Sequence, residues 1–133
     1  MLVQLTRLVK GGGNLRKLLK IALFVVIIVL VIILSRFIYI EVNKNNYENK
    51  VTNYLLKEMG YNKSEIASVE GVYGFKLPEF YTIVIFENEP YVAYAYFAHN
   101  SVLQFEYEVI DRKYIGITKK ELKNYDPNGL IGR

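Results

Sequence analysis

Ile21–Leu34 reads IALFVVIIVLVIIL, fourteen consecutive apolar residues without a glycine, a proline or a charge. Continued through Ser35 and Arg36 to Phe37, Ile38, Tyr39 and Ile40, the stretch reaches 20 residues. At about 1.5 Å of rise per helical residue it spans the roughly 30 Å hydrocarbon core of a bilayer. The chain therefore divides around it: residues 1–20 as a basic cytoplasmic leader, 21–40 as a transmembrane helix, 41–127 as one small extracytoplasmic domain, and 128–133 as a frayed tail.

Charge supports this division. The whole chain carries a net charge of +4, but Arg7, Lys10, Arg16, Lys17 and Lys20 all precede the apolar run and Arg36 lies at its far end. Residues 41–133 hold 11 Lys and Arg against 13 Asp and Glu, a net −2. A neutral-to-acidic domain on a basic leash argues for membrane topology and against a nucleic-acid partner, and it orients the N-terminus to the cytoplasm. The run ends in Ser-Arg-Phe-Ile, with none of the small residues of a signal-peptidase site, so a retained anchor is expected in place of a cleaved signal. Arg36 can lay its stem in lipid and carry its guanidinium to the headgroups beside Tyr39. The chain has no cysteine, which excludes disulfides and thiol chemistry.

Before the anchor, Gly11-Gly12-Gly13 predicts a flexible break. Lys-Gly-Gly-Gly can also be encoded by a run resembling a bacterial ribosome-binding site, which gives a second reading in which translation begins near Leu15 or Leu18. After the anchor, Tyr47, Val51, Tyr54, Leu55 and Met59 recur at helical spacing, with Asn, Lys and Glu on the other face. Asn-Lys-Asn-Asn at 43–46 is the expected break from the anchor, and Gly60 the expected left-handed C-cap.

Four strand-like runs follow: Ile66–Lys76, Phe80–Glu87, Tyr91–Ala98 and Val102–Ile110, separated by Leu-Pro-Glu, Asn-Glu-Pro and His-Asn-Ser. Such short connections make consecutive strands antiparallel neighbours. The predicted fold class is α+β: one transmembrane helix, then an amphipathic helix packed on a four-stranded antiparallel meander. Tyr114–Ile117 reads as a short edge segment. Thr118 and Glu121 stand at capping-box spacing for a last helix through Tyr125.

YLLKEMGY, GVYGF, FYTIVIFENEP, YVAYAYF and KNYDP together resemble the uncharacterised Firmicutes family called domain of unknown function 3139, from about Lys17 to Pro127. The resemblance implies a single-pass membrane protein of Gram-positive bacteria. It transfers no activity, cofactor or site residue, and the long leader departs from the family's short basic start. By arrangement alone the domain also resembles small PepSY and cystatin-like modules.

No HExxH, GxSxG, phosphate-loop or EF-hand pattern is present, so no catalytic, cofactor or metal residue is assigned. His99 reads as a polar loop residue. Glu87 with Glu89 at a turn, and Glu106 with Glu108 on one strand face, read as solvated carboxylates; acid–base work on cell-wall material is the alternative. Tyrosine is the stronger signal. Tyr73, Tyr81, Tyr91, Tyr94 and Tyr96 concentrate in a sheet that one helix cannot cover on both faces, which makes them the candidate interaction surface. The expected partners are the lipid bilayer, through Ile21 to Leu34, Arg36 and Tyr39, and another envelope protein. An accessory subunit acting through its transmembrane helix is a further reading.

Overall fold

A computed structural model describes residues 2–129, except for the side chains of 3–11. The chain forms two compact units, Met1–Tyr39 and Ile40–Arg133. Helix α1 runs Leu2–Asn53.

In the first unit every side chain from Ile21 to Leu34 is exposed. This helix is long and apolar enough to cross a membrane. Ser35 Oγ donates to the Val31 carbonyl at 2.7 Å, and the Arg36 guanidinium lies 5.4 Å from the centre of the Tyr39 ring. The predicted break at Gly11–Gly13 is absent, because α1 includes the triplet. Each glycine costs about 1 kcal/mol relative to alanine, but extending a helix that is already nucleated fixes one residue per hydrogen bond gained.

The predicted break at 43–46 is absent too. Glu41 and Lys44 pair at 3.3 Å one turn apart, and the residues that follow are anchored by burial. Tyr47, Val51 and Leu55 are buried in the core of the second unit, each contributing about 1.5–3 kcal/mol. That outweighs the few tenths lost per asparagine. The helix ends in a π-turn, Tyr54–Glu58, in which Met59 N donates to Tyr54 O at 3.0 Å. Gly60 has φ +77°, and Tyr61 N reaches back to Leu55 O at 3.0 Å, closing the carbonyl end as a Schellman-type cap. The wider π-turn rotates Met59 off the apolar face, and it is exposed where the spacing placed it inside.

The sheet is the expected meander. Its strands are β1 (Ile66–Tyr73), β2 (Phe80–Phe86), β3 (Glu89–Phe97) and β4 (Leu103–Val109), antiparallel and in sequence order. The inner face carries Phe80, Val84, Phe86, Val92, Tyr94 and Tyr96, and packs on Tyr47, Val51 and Leu55. Gly71 lies against the Lys44 backbone, where a Cβ would come 2.9 Å from the Lys44 Cα. A bulge shifts the β3–β4 register between Ala95↔Glu106 and Tyr96↔Gln104. It places Gln104 inside opposite Tyr96 and turns Phe105 to the outer face with Glu106, while Tyr107 beyond the bulge stays against the core.

Beyond β4, Arg112–Tyr114 and Lys119–Glu121 are single 3₁₀ turns. The capping box forms: Thr118 N and Oγ1 donate to Glu121 Oε2 at 2.7 and 2.6 Å, which holds that carboxyl below its ordinary value. No helix follows, because the next backbone donors bond elsewhere. Lys123 N and Asn124 N donate to the Glu89 carboxylate, at 3.0 and 3.2 Å. Residues 130–133 of the predicted tail lie outside the described residues.

Candidate functional site

The structure separates the five predicted tyrosines. Tyr94 and Tyr96 point inward and are 0 % and 2 % exposed, so neither offers contact surface. The run YVAYAYFA is apolar on both faces, and its alternation alone does not say which face α1 takes. Tyr73 packs half-buried on Phe80, with ring centres 5.3 Å apart. Tyr91 stacks on Tyr114 at 3.8 Å. Tyr81 lies on the outer face, edge-on to Phe105 at 6.2 Å.

Tyr81, Ile83, Ala93, Ala95 and Phe105 line a depression of about 800 Å³ on the outer face. The β1–β2 loop borders it through Gly74–Pro78, and Glu106 and Glu108 stand exposed beside it. The pair of carboxylates is solvated, as the sequence suggested.

The other pair is not alike. Glu87 is exposed, but Glu89 is fully buried at the start of β3. Its Oε2 accepts from Tyr94 OH at 2.6 Å, Asn124 Nδ2 at 2.9 Å and Asn124 N, while Oε1 accepts from Lys123 N. Four donors on two oxygens suit an acceptor-only group. The network extends through Gln104, whose Nε2 donates to Tyr96 OH at 2.9 Å and to Asn124 O at 3.0 Å, and whose Oε1 accepts from Asp126 N at 2.9 Å. Tyr54 OH donates to Asp126 Oδ2 and Tyr61 OH to Asn124 Oδ1.

Burial raises the pKa of these tyrosines and so suppresses their ionisation. Tyr54 is pushed up to about 12 by desolvation and by its bond to Asp126. Tyr61 is raised by burial and nearby carboxylates, Tyr94 by burial and Glu89, and Tyr96 by burial. All four stay neutral: Tyr54, Tyr61 and Tyr94 donate, whereas Tyr96 accepts from Gln104 Nε2. The hub fastens the closing segment to the sheet, with its polar groups used internally. Thr82 Oγ1, buried on the inner face, is the exception, with no partner among the described residues. Sequence reasoning missed Glu89; its only trace was the pairing of FENEP with KNYDP among the motifs quoted for the resemblance.

His99 is exposed in the β3–β4 loop, where its carbonyl accepts from Lys50 Nζ at 3.2 Å. No group of three or more His, Asp or Glu side chains suited to a metal exists among the described residues.

The family model described as "Protein of unknown function (DUF3139)" matches residues 16–96. The chain belongs to this family. The part matched to DUF3139 takes in the apolar stretch, the end of α1 and the first three strands through Tyr96, and so includes Glu89 and Tyr94. Strand β4 and the segment that closes on Glu89 lie beyond it. No curated protein and no solved structure matches this DUF3139 chain.

Proposed function

We propose that this protein is a single-pass membrane protein of a Gram-positive cell envelope, with its N-terminus in the cytoplasm and its folded unit outside, and that it is a binding module for another envelope protein. The observation that carries the binding reading is the apolar outer sheet face at Tyr81, Ile83, Ala95 and Phe105, which α1 leaves open. Exposed apolar depressions with a polar rim mark interaction sites more often than bare surface does. The exposed run Ile21–Leu34 supports the anchor, and the basic residues before it support the orientation. Tethering confines module and partner to one membrane surface, so a weak interface suffices for occupancy.

The test is photo-crosslinking in cells from Ile83 and Phe105. One and the same envelope protein should be captured from both, and Ile83→Arg should abolish capture from Phe105 while the unit stays folded. Capture from Phe24 in the apolar helix, with none from the sheet, would move the activity to the anchor and refute the module reading.

A further inference from the structure

Among the described residues of the second unit, the β1–β2 loop carries the least covered apolar side chains. Phe75 and Leu77 are 101 % and 94 % exposed, with Lys76 between them. The loop closes through Gly74 N and Glu79 O at 2.8 Å, and the Tyr73 ring lies beside Phe75, with centres 6.1 Å apart. Water is a poor medium for two such side chains on a loop tip, and the fold offers them no cover.

Their place in the unit is specific. Ile40, through which the chain passes to the apolar stretch, packs at the edge of the core. One turn on, the Lys44 backbone touches Gly71, and Glu48 accepts from Gly71 N at 2.8 Å. Tyr47 meets Phe80 at 5.8 Å, whereas Phe86 meets Tyr61, beyond the far end of α1, at 4.8 Å. Strand β2 therefore runs in the same sense as α1, and the loop before Phe80 sits at the Ile40 end. Lys44 is about 6 Å along the helix from Ile40, and the two residues from Gly71 to Tyr73 return up to about 7 Å toward it. The loop tip thus arrives level with Ile40 or past it.

We propose that this loop is a second membrane contact, in which Phe75 and Leu77 enter the headgroup–acyl boundary of the bilayer and Lys76 meets lipid phosphates. The proposal rests on the membrane reading given above. Aromatic and aliphatic side chains flanking a lysine match that boundary, where apolar bodies sink and the ammonium stays with the headgroups.

The chain has no tryptophan, so Phe75→Trp provides a single reporter at a fully exposed site. The full chain is reconstituted into phosphatidylglycerol–phosphatidylethanolamine vesicles with and without lipids brominated near the carbonyls. Three variants are compared: Phe75→Trp, Phe24→Trp in the apolar stretch, and Ile115→Trp, exposed beside the Tyr91–Tyr114 stack at the opposite end of the sheet. Brominated lipid should remove most of the emission of the first two and leave the third unchanged. If Phe24→Trp is quenched and Phe75→Trp is not, the loop contact is wrong and the anchor stands. If neither is quenched, the membrane reading itself fails. A Phe75→Trp emission that is blue-shifted but unquenched would mean cover by a second copy or another protein. Equal quenching of Ile115→Trp would mean the whole unit lies on lipid. Either result overturns the loop contact.

Discussion

Replacing Glu89 by glutamine preserves shape and removes half of the acceptor capacity. If the amide oxygen takes the Oε2 position, it keeps Tyr94 OH, Asn124 N and Asn124 Nδ2, while the amide nitrogen confronts Lys123 N–H as donor against donor. One buried donor without an acceptor costs about 1–3 kcal/mol, and each of three bonds to a neutral in place of a charged acceptor loses about 1 kcal/mol. The expected loss is about 3–5 kcal/mol after partial relaxation, a large share of the roughly 5–15 kcal/mol that holds a domain of this kind. With a urea slope near 2 kcal/mol per molar, the midpoint should fall by about 2 M. The assay is urea unfolding of the full chain in detergent, followed by tyrosine near-ultraviolet dichroism. Glu87→Gln, an exposed neighbour, is the control and should change stability by under about 0.5 kcal/mol. If both variants shift equally little, the closing segment is not held by Glu89, and the account of the hub is wrong.

Other outcomes follow from single contacts. Thr82→Val removes a buried hydroxyl without a partner and should leave stability unchanged or raise it by up to about 1 kcal/mol in the same assay; a loss above that would reveal a bond to Oγ1. Gly71→Ala places a methyl group against the Lys44 backbone and should destabilise by at least about 1–3 kcal/mol, because backbone cannot step aside as a side chain can. Titration with alkali, followed by tyrosinate absorbance, should show a set of tyrosines that ionise late. The free side chain ionises at about 10. Tyr54, pushed up to about 12, and Tyr61, Tyr94 and Tyr96, also raised, should ionise later. The sign follows: below about pH 10 both folded and unfolded chains keep these protons, and above it the unfolded chain sheds them first. Stability should therefore be flat up to about pH 10 and fall from there toward 12; a single class near 10 with no such fall would contradict the buried network.

The meander was legible because its runs are short, β-branched or aromatic, and fenced by Leu-Pro-Glu, Asn-Glu-Pro and His-Asn-Ser. The Gly60 cap was legible because a positive φ leaves few alternatives to glycine. What escaped depends on residues far away in sequence. Tyr94 and Tyr96 share a strand with Ala93 and Ala95, and only the docking of Val51 and Leu55 decides which pair turns inward. Gln104 sits in a strand of regular alternation, and the bulge beside it moves the parity by one. Glu89 looks like any acidic turn residue, because three of its four donors come 34 and 35 positions later. The continuous helix through 43–46 was hidden for a similar reason, since local propensity says little against burial one turn further on.

The distance between Glu89 and its donors sets an order of events during synthesis. Strands β1 to β4 can pair as neighbours while the chain is still emerging, but Glu89 waits for Lys123 and Asn124, which follow all four strands. Until then the sheet holds an uncompensated acceptor beside Tyr94 and cannot dry out its far end. A chain cut short before Lys123 keeps all four strands and leaves Glu89, Gln104, Tyr54 and Tyr61 without the partners that Lys123, Asn124 and Asp126 supply. A chain that stops before Lys123 is therefore expected to be cut by proteases more readily than one that reaches Asp126. Levels of chains ending at residue 121 and at residue 129, compared with and without envelope proteases, would show that difference directly.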